Sequence, residues 1–102
     1  MPFQERLDVL VCYDVNTIYE NGQRRLRRVA KVCIKYGQRV QYSVFECNVS
    51  MPLLFEMQQK LFDIMDPVED SLRIYTLAGA RTSFVKVFGR NDWVDFQKPL
   101  TI

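Results

Sequence analysis

An α+β sandwich, two helices laid on one face of an antiparallel sheet, is the fold this 102-residue chain predicts. Three observations point to it. Short apolar stretches of strand character occupy residues 7–15, 38–49 and 71–77, and helical spacing governs residues 22–36 and the stretch after Ser50. The two kinds of segment follow the order strand, helix, strand or hairpin, helix, strand, strand. The length is that of one domain, enough for a single core but at the lower end of comfortable independent stability, so burial by self-association is expected.

Residues 7–15 read as a buried strand. Leu7, Val9, Val11, Tyr13 and Val15 face one way and Leu10, Cys12 and Asp14 the other, so the strand ends in a carboxylate on the face opposite Tyr13. Asn16-Thr17 and Asn21-Gly22 flank a short loop. Over residues 22–36, Leu26, Val29, Ala30 and Cys33 form the i, i+3, i+4, i+7 stripe of a helix, and Gly37 suits a left-handed helix terminus. Residues 38–49 are extended, either as one bent strand or as a tight hairpin turning near Tyr42-Ser43, the hairpin being favoured. Ser50 caps a second helix that opens Met51-Pro52 and turns Leu54, Met57, Leu61 and Ile64, with Phe62 and Met65, to the core. Asp66-Pro67 ends it. Residues 71–77 form another strand, Ala78-Gly79-Ala80 breaks it, and residues 84–88 form a shorter one. The tail, residues 89–102, is compatible with a loose end or an added strand, with Trp93 as its anchor. This order suits a ferredoxin-like β-α-β-β-α-β sandwich over residues 1–88 with an additional C-terminal strand. The uncovered sheet face needs a cover, and a second copy across a two-fold axis would bring two Asp14 carboxylates towards each other.

Composition narrows the chemistry. Cys12, Cys33 and Cys47 are an odd set without C-x-x-C spacing, read as small core residues rather than a zinc site or disulfide framework. Histidine is absent, which removes the commonest general base and transition-metal ligand, so catalysis would run on carboxylates, hydroxyls, bound water and a hard cation. No run approaches the ~20 apolar residues of a membrane helix. With acid and base both within the first six residues, a cytoplasmic protein is expected.

The net charge of +2 conceals a concentration. Between Asn21 and Phe45 there is no acidic residue, while Arg24, Arg25, Arg27, Arg28, Lys31, Lys35 and Arg39 supply half of the chain's 14 cations. Arg24, Arg27, Arg28, Lys31 and Lys35 fall opposite the apolar stripe, with Arg25 at the flank. Such a face attracts polyanions through phosphate contacts and counterion release, and Asp14 at its edge is the kind of oxygen ligand Mg²⁺ takes when phosphates are present.

The apolar strand ending Tyr13-Asp14-Val15, Gly22 with the arginine-rich helix, the run from Gly37 through Arg39-Val40-Gln41-Tyr42-Ser43-Val44-Phe45 to Cys47, and Asp70-Ser71-Leu72-Arg73-Ile74-Tyr75 occur in one order. In these motifs the chain resembles the small CRISPR-associated endonuclease family that partners the CRISPR integrase, the second of the numbered Cas proteins. The resemblance implies a ferredoxin-like homodimer whose tail pairs with the partner subunit's sheet. It also implies a pair of Asp14 residues at the seam holding one divalent metal, Mg²⁺ or else Mn²⁺. Tyr13 neighbours that ligand, and Arg28, Arg39, Ser43 and Phe45 match positions associated with the cleft; Arg24 and Arg27 match less clearly. The Tyr-Asp-Val-Asn-Thr and Phe-Glu-Cys versions resemble the branch of subtype I-C systems, whose members resemble double-strand deoxyribonucleases more than ribonucleases. Implied partners are integrase subunits and double-stranded DNA, with single-stranded RNA as the other substrate. Two carboxylates brought close repel each other, and a cation between them relieves the repulsion.

Blander readings stand beside these. Asp14 on its own is a strand-end acid capping a turn, a charged helix face is usually only solvated, Phe45 and Tyr42 are packing residues, and Ser43 is a turn hydroxyl with no base to activate it. Three functions follow: an architectural DNA-binding bridge for the integrase, a metal-dependent endonuclease at Asp14, and, from another class, a toxin-type endoribonuclease related to VapD, which shares the fold and a strand-end acid.

Overall fold

The computed structural model describes residues 5–77 and Lys86. Along the chain run β1 (Arg6–Asp14), α1 (Glu20–Tyr36), β2 (Gly37–Gln41), β3 (Val44–Ser50), α2 (Met51–Ile64) and β4 (Ser71–Leu77). All strand pairs are antiparallel and the sheet order is β2-β3-β1-β4, which is the ferredoxin-like arrangement. The expected break at residues 78–80, the strand at 84–88 and the tail with Trp93 lie outside the described residues.

β1 is central because its alternation lets one face bury completely. Val9, Val11, Tyr13 and Val15 are buried with Phe45, Cys47 and Val49 of β3, Val29 and Cys33 of α1, and Leu54, Met57 and Leu61 of α2. The register sets Val11 opposite Phe45 on one side and Ile74 on the other, so the inward residues of three strands form one row beneath the helices. Leu10 and Cys12 lie half-buried on the other face and Asp14 is exposed at its end. Cys12 is therefore not a core residue as expected: its even position in β1 carries it to the outer face, while Cys33 and Cys47 are buried.

Residues 38–49 form the hairpin, with Tyr42-Ser43 as its turn. The turn is tied to β1 by the Tyr13 N–H donating to the Ser43 carbonyl at 3.1 Å. Ser50 caps α2, its hydroxyl accepting from the Leu53 N–H at 3.4 Å, and Pro52 occupies the first turn.

Three details depart from the sequence reading. Gly37 is extended, at φ −165° and ψ −161°, and opens β2 instead of closing α1 in the left-handed conformation. A Cβ there would stand 2.2 Å from the Glu46 carbonyl oxygen and 2.5 Å from the Cys47 Sγ, so the glycine serves close strand approach. Phe62 is 58% exposed, because Leu54, Met57 and Leu61 fill the inward arc of α2. α1 begins at Glu20, two residues before Gly22, on N–H groups of Gly22 and Gln23 that both reach the Tyr19 carbonyl.

Candidate functional site

The ends of β1 and β4 and the hairpin turn meet at one edge of the open sheet face. There Asp14, Cys12, Tyr13, Ser43, Val44, Ser71 and Arg73 line a shallow depression of about 290 Å³. Asp14 stands opposite Ser71 and Cys12 opposite Arg73, and alternation along β4 turns Leu72 and Ile74 to the core while Ser71, Arg73 and Tyr75 face outward. No hydrogen bond or ion pair from the described residues engages the Asp14 carboxylate. An exposed, unengaged carboxylate beside two hydroxyls is a hard oxygen donor set. Among the described residues no three acidic, cysteine or histidine side chains converge, and Asp14 is the carboxylate among those lining the depression. A hard cation held by so sparse a set would take most of its ligands from water and phosphate oxygens.

The loop that follows Asp14 is anchored from beneath. Asp70 accepts from the Asn16 N–H at 3.1 Å and the Asp66 N–H at 2.9 Å, and the Arg25 guanidinium donates to both its oxygens at 2.8 and 3.1 Å. The Asp70 side chain is fully buried and that of Arg25 is 19% exposed. Burial alone would raise the Asp70 pKa; Arg25 and the two backbone N–H groups outweigh it and hold the carboxyl below the usual carboxylate value. Asn16 completes the turn by donating its side-chain amide to Glu69 at 2.7 Å and accepting from the Ile18 N–H at 3.1 Å. Gly22 lets this loop close on α1, because a Cβ there would lie 1.7 Å from the Asn16 carbonyl oxygen.

Of the other residues singled out in the sequence, Tyr13 borders the depression but is itself buried, and the rest lie elsewhere. Tyr13 and Phe45 are stacked in the core, centroids 6.2 Å apart, and the Arg39 guanidinium covers the Phe45 ring at 5.2 Å and the Tyr42 ring at 5.7 Å. The Tyr13 hydroxyl donates to the Tyr42 carbonyl at 3.4 Å, and burial raises its pKa against the opposing pull of Arg39. Arg39 pairs with Phe45 in the β2–β3 register, which puts it on the helix side of the sheet, away from Asp14. Arg28 lies exposed on α1, on that same side. Within one protomer, then, Tyr13 and Ser43 line the depression with Asp14, while Arg28, Arg39 and Phe45 do not. Sequence reasoning missed Ser71 and Arg73; the strict alternation of β4 and its pairing with β1 were the signals for them.

The second surface is the outer face of α1. Arg24, Arg27, Arg28, Lys31 and Lys35 are all exposed. At 100° per residue they fall within an arc of about 100°, and the stretch from Arg24 to Lys35 is about 16 Å long. Arg25 is withdrawn from this face into its pair with Asp70.

Comparison with known proteins decides the family. Residues 8–83 match the family model described as CRISPR associated protein Cas2. This chain belongs to the Cas2 family. It is 59% identical over 94 residues, 92% of this chain and 98% of the relative, to a protein of Chlorobaculum tepidum named CRISPR-associated endoribonuclease Cas2. It is 45% identical over 92 residues, 90% of this chain and 96% of the relative, to one of Halalkalibacterium halodurans named CRISPR-associated endonuclease Cas2. The crystal structure of Streptococcus pyogenes Cas2 at pH 6.5 superposes with a TM-score of 0.73 at 46% identity, covering 80% of this chain and 99% of that one. The fold is thus that of a Cas2 protein, and the chain's role is a CRISPR-associated one.

Proposed function

We propose that this Cas2 protein is a divalent-metal-dependent endonuclease that works as a homodimer in CRISPR adaptation, with Asp14 as the metal ligand and double-stranded DNA as the preferred substrate. The observation that carries the reading is the Asp14 carboxylate, unengaged among the described residues, in a depression with Ser43, Ser71 and Arg73. A bound Mg²⁺ or Mn²⁺ would polarise a phosphate and activate a water there. The chain's part is to present Asp14 rigidly: Asp70 and Arg25 fix the loop behind it, and β3 and β4 flank the strand that ends in it. The open face, with half-buried Leu10, Cys12 and Val44 at its middle, is the surface a second copy would cover, bringing a second Asp14 to the seam.

DNA binding is assigned to α1. Its basic face spans a length of duplex that carries roughly nine phosphate charges, and such a face positions a nucleic acid without reading its sequence. On this account the dimer lies across a short duplex and bridges integrase subunits, whether or not it cuts. The Tyr13-Asp14-Val15-Asn16-Thr17 and Phe45-Glu46-Cys47 versions support the subtype I-C branch and hence DNA. A second reading, endoribonuclease, is favoured by the names of most relatives, that from Chlorobaculum tepidum among them. The VapD-like toxin reading would show itself as growth arrest on expression without an integrase.

Incubating the purified protein with linear duplex DNA and with single-stranded RNA, in Mg²⁺, Mn²⁺ or EDTA from neutral to alkaline pH, decides between substrates. Metal-dependent cutting faster on duplex is expected, with little regard to sequence. Cutting confined to RNA would overturn the DNA assignment.

A further inference from the structure

Arg73 is a cation with no part in the chemistry assigned to Asp14, yet it occupies the same depression. It faces outward from β4 opposite Cys12, one pleat from the Ser71–Asp14 pair, which makes Arg73 and Asp14 diagonal neighbours on one sheet face. Such diagonal positions lie roughly 7–8 Å apart in an antiparallel sheet. Long side chains can close that gap, yet here no ion pair forms: Asp14 has no partner among the described residues, and Arg73 donates to the Tyr75 hydroxyl at 3.3 Å. The Tyr75 hydrogen bond holds the guanidinium without neutralising it. Ser43 and Ser71 line the same depression, and no other basic residue among those described does. Arg24, Arg27, Arg28, Lys31, Lys35 and Arg39 all lie on the helix side of the sheet.

We infer that Arg73 is a catalytic residue of the Asp14 site, its guanidinium bracing the non-bridging oxygens of a phosphodiester seated between Arg73 and Asp14. The inference rests on the nuclease reading above and names the group that receives the charge developing on the phosphate. A planar fork of donors suits two phosphate oxygens better than a lysine does. The helix cations then serve to hold the nucleic acid, and Arg73 to stabilise the reacting group.

The test compares wild type, Asp14→Ala, Arg73→Ala and Arg73→Lys on the duplex in saturating metal, with and without guanidinium at matched ionic strength. Removing one preorganised charge-stabilising donor lowers kcat by about 10²–10³-fold, and that is expected of Arg73→Ala with KM little changed. Arg73→Lys should fall between wild type and Arg73→Ala, and guanidinium should restore cutting to Arg73→Ala but not to Asp14→Ala. Arg73→Ala cutting at the wild-type rate while Asp14→Ala is inactive would overturn the role of Arg73 and leave the Asp14 site standing. A loss in Arg73→Ala that guanidinium does not relieve would make the residue structural and overturn it equally. Asp14→Ala cutting like wild type would instead remove the nuclease reading on which the inference rests.

Discussion

At the residue scale the position of Asp14 depends on a group far away in sequence. Asp70, 54 residues from Asn16, satisfies the backbone of the loop that follows Asp14 and buries its own charge against Arg25. Removing one partner of a buried pair leaves the other uncompensated, so Asp70→Ala should cost about 3 kcal/mol in urea unfolding. The pH dependence has a definite sign. Because the folded carboxyl titrates below its ordinary value of 3.8, its stabilisation is complete above that value and is lost as pH falls through the lower folded pKa. Thermal melts of wild type between pH 5 and pH 2 should therefore fall more steeply than those of Asp70→Asn; parallel curves would show that Asp70 contributes nothing of the kind. Gly22 makes a second demand on the same loop. A methyl group 1.7 Å from the Asn16 carbonyl forces backbone movement, so Gly22→Ala should lower the melting temperature and shift the amide resonances of residues 14–19. Unchanged resonances would count against the close packing of loop on helix. The thiols of Cys33 and Cys47, pushed up to about 12 by burial, should stay unlabelled by a thiol reagent at pH 8 until the protein unfolds.

At the element scale the sequence was legible where a single period carried the information. The alternation of β1 gave its buried and open faces, the Arg24 to Lys35 stripe gave the basic face of α1, and Ser50 with Pro52 marked the start of α2. What was not legible came from partners that a local pattern does not contain. Arg25 stood only at the flank of the basic stripe until Asp70 took it, Gly37 looked like a helix terminus until the Glu46 carbonyl claimed the space, and Phe62 was read with the apolar set of α2 although Leu54, Met57 and Leu61 fill its inward arc. Arg73 became a neighbour of Asp14 only through the β1–β4 register. The α1 surface carries its own prediction. Reversing Arg24, Arg27, Arg28 and Lys31 to glutamate should abolish duplex binding, whereas Asp14→Asn should bind as wild type does. Neutralising these cations one at a time should make the slope of log K against log salt shallower by about 0.9 for each phosphate left without its counter-charge. Tight binding by the reversed variant would remove α1 as the docking surface.

For the whole molecule, one sheet separates two surfaces of different character. The helix side carries the exposed cations of α1, and the other side carries Asp14 and Arg73; under the proposed function a homodimer formed through the latter faces would place paired Asp14 and Arg73 residues at its centre and basic helices on its exterior. Leu10→Glu puts a charge in the middle of that face without touching the core and should yield a folded monomer by sedimentation. A dimer that survives it would have to be built elsewhere. None of the described helices is long and apolar enough to cross a membrane. The most direct test of the account is duplex cleavage by wild type and Asp14→Ala, purified side by side and assayed in Mg²⁺, Mn²⁺ and EDTA with DNA binding measured on the same samples. Metal-dependent cutting by wild type, none by Asp14→Ala, and equal binding by both is the predicted result. Equal cutting by both would contradict it, and absence of cutting from both, with binding intact, would leave the protein as an architectural bridge alone.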